Sequence, residues 1–146
     1  MRRALVAIAI TVLAAGCSSS PPARHLTPSE QIGAWADGGG KQRVEAIKAD
    51  SDAIARDQSN IDATGADCLQ LRADVKAARA YTPLPDAVAE QHWTAELNDL
   101  DAQAFACAAG AASKSSDQFG KAAASGEAAY AEGKALEDRL NQIIKG

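Results

Sequence analysis

Alanine supplies 35 of the 146 residues, and no segment behind the N-terminal leader alternates apolar β-branched residues with polar ones. A chain rich in Ala, Glu, Lys, Gln and Arg without two-residue periodicity is committed to helix. The same alanines make the 47% hydrophobic content misleading, because much of it is single methyl groups. Large apolar side chains after the leader are few: mainly Ile32, Val44, Ile47, Ile54, Ile61, Leu69, Leu71, Val75, Val88, Leu97, Leu100, Phe105, Phe119, Leu136, Leu140, Ile143 and Ile144, with Trp35 and Trp93. A core this thin over about 120 folded residues calls for a staple.

Start and stop signals divide the body into helices. Thr27-Pro28-Ser29-Glu30 is a capping box with Pro at the first helical position, and it starts a short helix carrying Ile32 and Trp35. Asp37-Gly38-Gly39-Gly40 ends it, since each glycine costs about 1 kcal/mol inside a helix. The glycines read as a plain connector, with a hinge as the functional alternative. A phosphate-cradling loop would want a strand before them and a Lys-Ser/Thr pair after, and neither is present. A second helix is predicted from about Lys41 to Ile61, on the stripe Val44, Ile47, Ser51, Ile54, Gln58 and Ile61. A third runs from about Gly65 to Ala80, with Cys68, Leu71, Val75 and Ala78 on one face, until Tyr81-Thr82-Pro83-Leu84-Pro85 stops it. Asp86 caps a fourth, to about Gly110, whose inner face carries Trp93, Leu97, Leu100, Ala104 and Cys107. A fifth covers about Ser116 to Lys145, with the seam Phe119, Ala122, Gly126, Ala129, Gly133, Leu136, Leu140 and Ile143. The expected fold is all-α: an antiparallel bundle of four longer helices plus a short N-terminal helix, with one disulfide. The small residues Gly126, Ala129 and Gly133 would let a neighbouring backbone approach, or leave room for the ring of Trp93.

The staple depends on the first of three cysteines. Arg2 and Arg3 precede a twelve-residue apolar run, Ala4 to Ala15, which ends in Leu13-Ala14-Ala15-Gly16-Cys17. That run is too short to span a bilayer, which takes about 20 residues, and has the size of a cleaved secretory signal. The small residues followed at once by cysteine resemble the lipobox of bacterial lipoproteins, with Ala14 where Leu is commonest. The resemblance implies cleavage between Gly16 and Cys17 and a lipid on Cys17, so that the protein is lipid-anchored at the extracytoplasmic face of the cell membrane. Residues 1–16 would then be a lipoprotein signal peptide, 17–26 a flexible tether containing Ser18-Ser19-Ser20-Pro21-Pro22, and 27–146 the helical bundle domain. Two acyl chains, palmitate-like in size, would hold it firmly, since each buried methylene contributes about 0.8 kcal/mol.

With Cys17 lipidated, Cys68 and Cys107 remain to each other, and disulfides persist outside the cytoplasm. Two buried free thiols are the alternative. Closing a loop of about 40 residues is worth roughly 4 kcal/mol. The pairing also constrains the connection between the two helices. Cys68 lies 12 residues before Ala80, about 18 Å, and Cys107 lies 21 residues after Asp86, about 32 Å. The offset of about 14 Å matches five extended residues at roughly 3.1 Å each. Tyr81 to Pro85 is therefore expected to run along the bundle axis rather than turn tightly.

The series Cys68 to Val75, Tyr81-Thr82-Pro83-Leu84-Pro85-Asp86-Ala87, Gln91-His92-Trp93, Ala95-Glu96-Leu97 and Cys107 resembles small, uncharacterised exported helical proteins of actinobacteria. The resemblance would cover most of residues 35 to 145. It implies a fold and no activity.

Chemistry-bearing patterns are sparse. His25 sits in the tether. His92 and Glu96, at i and i+4, could bind a metal or act as an acid/base couple, but a solvated helix face is the better reading, and no metal or cofactor is expected. Ser113, Ser115, Ser116 and Ser125 have no histidine nearby in sequence, so no enzyme is expected. Removing Arg2 and Arg3 leaves 13 basic against 19 acidic residues, a net charge of −6, which disfavours nucleic acid as a partner. The functional expectation is a membrane-anchored envelope lipoprotein, a non-catalytic helical module that binds or scaffolds another envelope component. The alternative is a carrier of a small apolar ligand, in a cavity between the helices at Trp93, Gly126, Ala129 and Gly133. A buried apolar cavity of at least ~300 Å³ there would favour the carrier, and a filled seam the binding or scaffolding module.

Overall fold

The computed structural model describes residues 25–146. The leader, the lipobox with Cys17, and residues 17–24 of the tether lie outside the described residues. Helices α1 (Pro28–Trp35), α2 (Lys41–Arg56), α3 (Ile61–Arg79), α4 (Ala87–Ser113) and α5 (Ser116–Lys145) follow in order, with no strand among the described residues. The architecture is the expected bundle of four longer helices and a short N-terminal one, closed by a Cys68–Cys107 disulfide.

The capping box forms: the Thr27 amide donates to Glu30 Oε2 at 2.8 Å, and the Glu30 amide donates to Thr27 Oγ1. At the glycines the chain does not simply stop. Residues Ala36–Gly40 make one wide helical turn, and a single left-handed residue, Gly39 at φ 124°, bends the path into α2. Gly40 keeps an ordinary helical conformation; it is needed for space, because the Trp35 ring lies where its Cβ would stand.

The predicted second helix breaks earlier than its stripe suggested. α2 ends at Arg56, and Asn60 caps α3 by accepting from the Ala63 amide at 3.2 Å. Thr64, buried within α3, donates to the Asp57 carbonyl at 2.7 Å and fixes the turn. Ile61 is consequently exposed rather than seamed, and Val44, Leu69, Val88, Phe105 and Ile144 from the expected core are exposed as well.

α4 is the central helix, packed against α3 on one side and α5 on the other, while α2 packs on α3. The α4–α5 connection is tight: Lys114 adopts φ 54° and Ser115 caps α5 by accepting from the Gln118 amide. The α3–α4 connection is long, and runs where the disulfide requires. Arg79, the last residue of α3, reaches the Leu97 carbonyl at 2.9 Å, ten residues (about 15 Å) into α4. Residues 80–86 then lie beside the start of α4, where the Leu84 amide donates to Glu90 Oε2 at 2.7 Å. Trp35 secures this stretch: its Nε1 donates to the Thr82 carbonyl at 2.7 Å, and its ring meets Tyr81 and Trp93 edge-on.

The core divides in two. The larger cluster centres on Leu71, Val75, Trp93, Leu97 and Leu100, with Ala129 and Leu136 from α5. The smaller one is Cys68, Ala106, Cys107 and Ala122. Its alanines bury little area, so the covalent bond falls where apolar packing contributes least.

Candidate functional site

α2 and α5 do not close on each other, which leaves one side of the bundle open as a groove of about 1010 Å³. Its floor comes from α4, where Trp93, Glu96, Leu100 and Gln103 recur at intervals of three and four and so share a face. One wall is Val44, Ile47, Lys48 and Ser51 of α2. The other is α5 from Ala123 to Asn141, including Gly126, Ala129, Tyr130, Gly133, Leu136 and Leu140.

All four residues singled out from sequence, Trp93, Gly126, Ala129 and Gly133, line this groove. Their arrangement differs from the expectation in one respect. The glycines do not make room for the Trp93 ring, which is buried in the core against Trp35. They admit polar side chains of α4 instead. A Cβ on Gly126 would lie 3.1 Å from Gln103 Cδ, and one on Gly133 would lie 2.9 Å from Glu96 Oε1. The glycines thus flatten the α5 wall and let Glu96 press against the helix backbone.

His92 and Glu96 do not act as a pair. His92 Nδ1 lies 2.8 Å from Glu132 Oε2 on α5, at the bundle surface. Among the described residues, no group of three or more His, Cys, Asp or Glu side chains is placed to hold a metal ion. Burial pushes the Glu96 carboxyl up to about 7, and the neighbouring Glu132 charge adds to the shift. No side chain or backbone group among the described residues hydrogen-bonds or ion-pairs with Glu96. Glu96 is the groove residue that the sequence reading missed, having placed it on a solvated face. The available signal was its spacing: it follows Trp93 by three residues and precedes Leu100 by four, which puts it on the inner stripe.

Two other features compare poorly with the groove. Asp50 of α2 meets Asp67 and Asp74 of α3, where burial, then a hydrogen bond with Asp74, then the charges of Asp74 and Asp67 push Asp50 up to about 6. The three carboxyls are half-buried between the helices, Asp50 shares a hydrogen bond with Asp74, and none of them lines either of the two cavities described. A depression of about 440 Å³ beside Leu69 and Lys76 has two of its cations engaged, since Arg72 and Arg79 both reach Asp101. Comparison of the chain with known protein families, curated proteins and solved structures finds no match.

Proposed function

We propose that this chain is an envelope lipoprotein, held by lipid on Cys17 at the extracytoplasmic face of the membrane, whose helical body is a non-catalytic binding module. The groove between α2 and α5 is its binding surface. The observation that carries the reading is the size and lining of that groove: about 1010 Å³, with Trp93 and Leu100 in its floor and Ile47, Leu136 and Leu140 in its walls, and unfilled by any side chain of the bundle. Binding sites for small molecules occupy roughly 300–1,000 Å³, a size the groove reaches as an open surface rather than as the buried cavity expected of a carrier. No helix among the described residues is long and apolar enough to cross a membrane.

The binding reading is tested in cells with a photo-reactive amino acid at Ser51, inside the groove, and separately at Leu69, outside it. An adduct at Ser51 and none at Leu69 is expected; adducts at Leu69 alone would overturn the assignment. The anchor is tested by Cys17→Ser, which should move the protein from the membrane to the soluble fraction. Unchanged partitioning would refute lipidation at Cys17.

A further inference from the structure

The groove floor carries two polar side chains, Glu96 and Gln103, and of these only Glu96 is charged. The groove's other charged residues, Lys48, Glu127, Lys134 and Glu137, are exposed at the rim, and Lys48 already holds Asp52 at 3.0 Å. Glu96 alone is drawn down between α4 and α5, and its nearest charged neighbour is another carboxylate, Glu132. Glu132 is itself taken by His92 at 2.8 Å, which leaves Glu96 without a counter-charge. A half-buried carboxylate without a donor is costly, and a ligand that brings one recovers that cost on binding. Around Glu96 the floor is Trp93 and Leu100, with Ile47 and Leu136 facing across it. The wall of α5 from Ala123 to Asn141 is 19 residues long, about 27 Å from end to end, enough for an extended hydrocarbon chain.

Resting on the groove as the binding surface, we propose that its ligand is a hydrophobic amine: an elongated apolar molecule whose protonated amine pairs with Glu96 while its tail lies along Trp93, Leu100 and Ile47. Charge complementarity selects the amine. A fatty acid would set a third carboxylate beside Glu96 and Glu132, and an uncharged chain would leave Glu96 as it is. A protonated amine forms a charge-assisted hydrogen bond in a partly desolvated site, the strong kind.

The test uses the purified protein near neutral pH and follows tryptophan fluorescence, since Trp93 lines the floor. Dodecylamine, dodecanol and dodecanoate, all below their aggregation concentrations, share a tail and differ in the head. Dodecylamine is expected to bind roughly tenfold or more tightly than dodecanol, with dodecanoate weakest. Glu96→Gln should bring dodecylamine to the level of dodecanol without changing dodecanol itself, and circular dichroism will show that the variant is folded. Equal binding of amine and alcohol, or an amine preference that survives Glu96→Gln, overturns the proposal. If none of the three binds while a photo-reactive residue at Ser51 still captures an envelope protein, the hydrophobic amine is refuted and the groove stands as a protein-binding surface.

Discussion

Glu96 should make the protein less stable as the solution becomes more alkaline, and Glu96→Gln should abolish that dependence. The folded carboxyl sits at about 7 against an ordinary value of 4.5. Between those values the folded chain keeps a proton that the unfolded chain has released. The favourable contribution is therefore complete below the unfolded value and disappears as pH rises through the folded one. The difference corresponds to about 3 kcal/mol at roughly 1.4 kcal/mol per pH unit, and solvent at the open groove mouth screens this to about 2 kcal/mol. Glutamine occupies nearly the same volume and does not ionise. Urea unfolding of both proteins, followed by far-ultraviolet circular dichroism from about pH 4 to about pH 8, isolates the effect, because contributions from Asp50 and Asp86 cancel in the difference. The variant should gain about 2 kcal/mol on the parent between those limits, the gain beginning near the unfolded value and levelling off by about pH 7. Two curves separated by a constant offset would mean that Glu96 is solvated and that the account of the groove floor is wrong.

Three further outcomes follow from the geometry. Replacing both Cys68 and Cys107 with alanine should lower the unfolding free energy by roughly 4 kcal/mol, because a 39-residue separation is no longer closed; equal stability with and without reductant in the parent would contradict this. Gly40→Ala should cost about 1–3 kcal/mol in thermal melts by displacing Trp35, whereas Gly120→Ala, with open space around its Cβ inside α5, should gain about 0.5–1 kcal/mol. Asp86, which accepts from the Ala89 amide, is held down to about 2 chiefly by hydrogen bonds from Arg139, then by that amide. Its contribution is present above its ordinary 3.8 and lost as pH falls through about 2. Asp86→Ala should remove about 1 kcal/mol at neutral pH and flatten the acid limb of the stability profile.

Much of this bundle was legible because its signals are local. Thr27 and Asp86 announce helix starts by side-chain chemistry, Pro83 and Pro85 announce a stop, and residue counting around Cys68 and Cys107 gave the path of the connection between them. The break at Asp57 to Asn60 was not legible from the apolar stripe, since Gln58 and Ile61 keep the helical spacing. What decides there is Asn60 as a cap and Thr64 bonding back to Asp57, of which only the Asn60 cap has a sequence signature. Likewise the stripe Val44, Ile47 and Ser51 has the spacing of a seam, and periodicity cannot say whether the facing helix arrives. In the structure α5 stays apart and the stripe becomes a wall. Gly126 and Gly133 were read as places for a neighbouring backbone or for the Trp93 ring, but the approaching atoms are side-chain atoms of Gln103 and Glu96, and the Trp93 ring packs on Trp35, distant in sequence.

The sulfur bridge joins α3 to α4 on either side of their connection, so every peptide bond from Cys68 to Cys107 lies within a closed covalent ring. An enzyme that severs the backbone once inside that ring opens it without releasing either piece. Such a product would migrate as intact protein on a non-reducing gel and separate into two fragments only after the bridge is reduced. Wherever reductants are scarce, that gives the body a tolerance of single cuts at Tyr81 to Pro85, within the longest stretch without helix between two helices among the described residues.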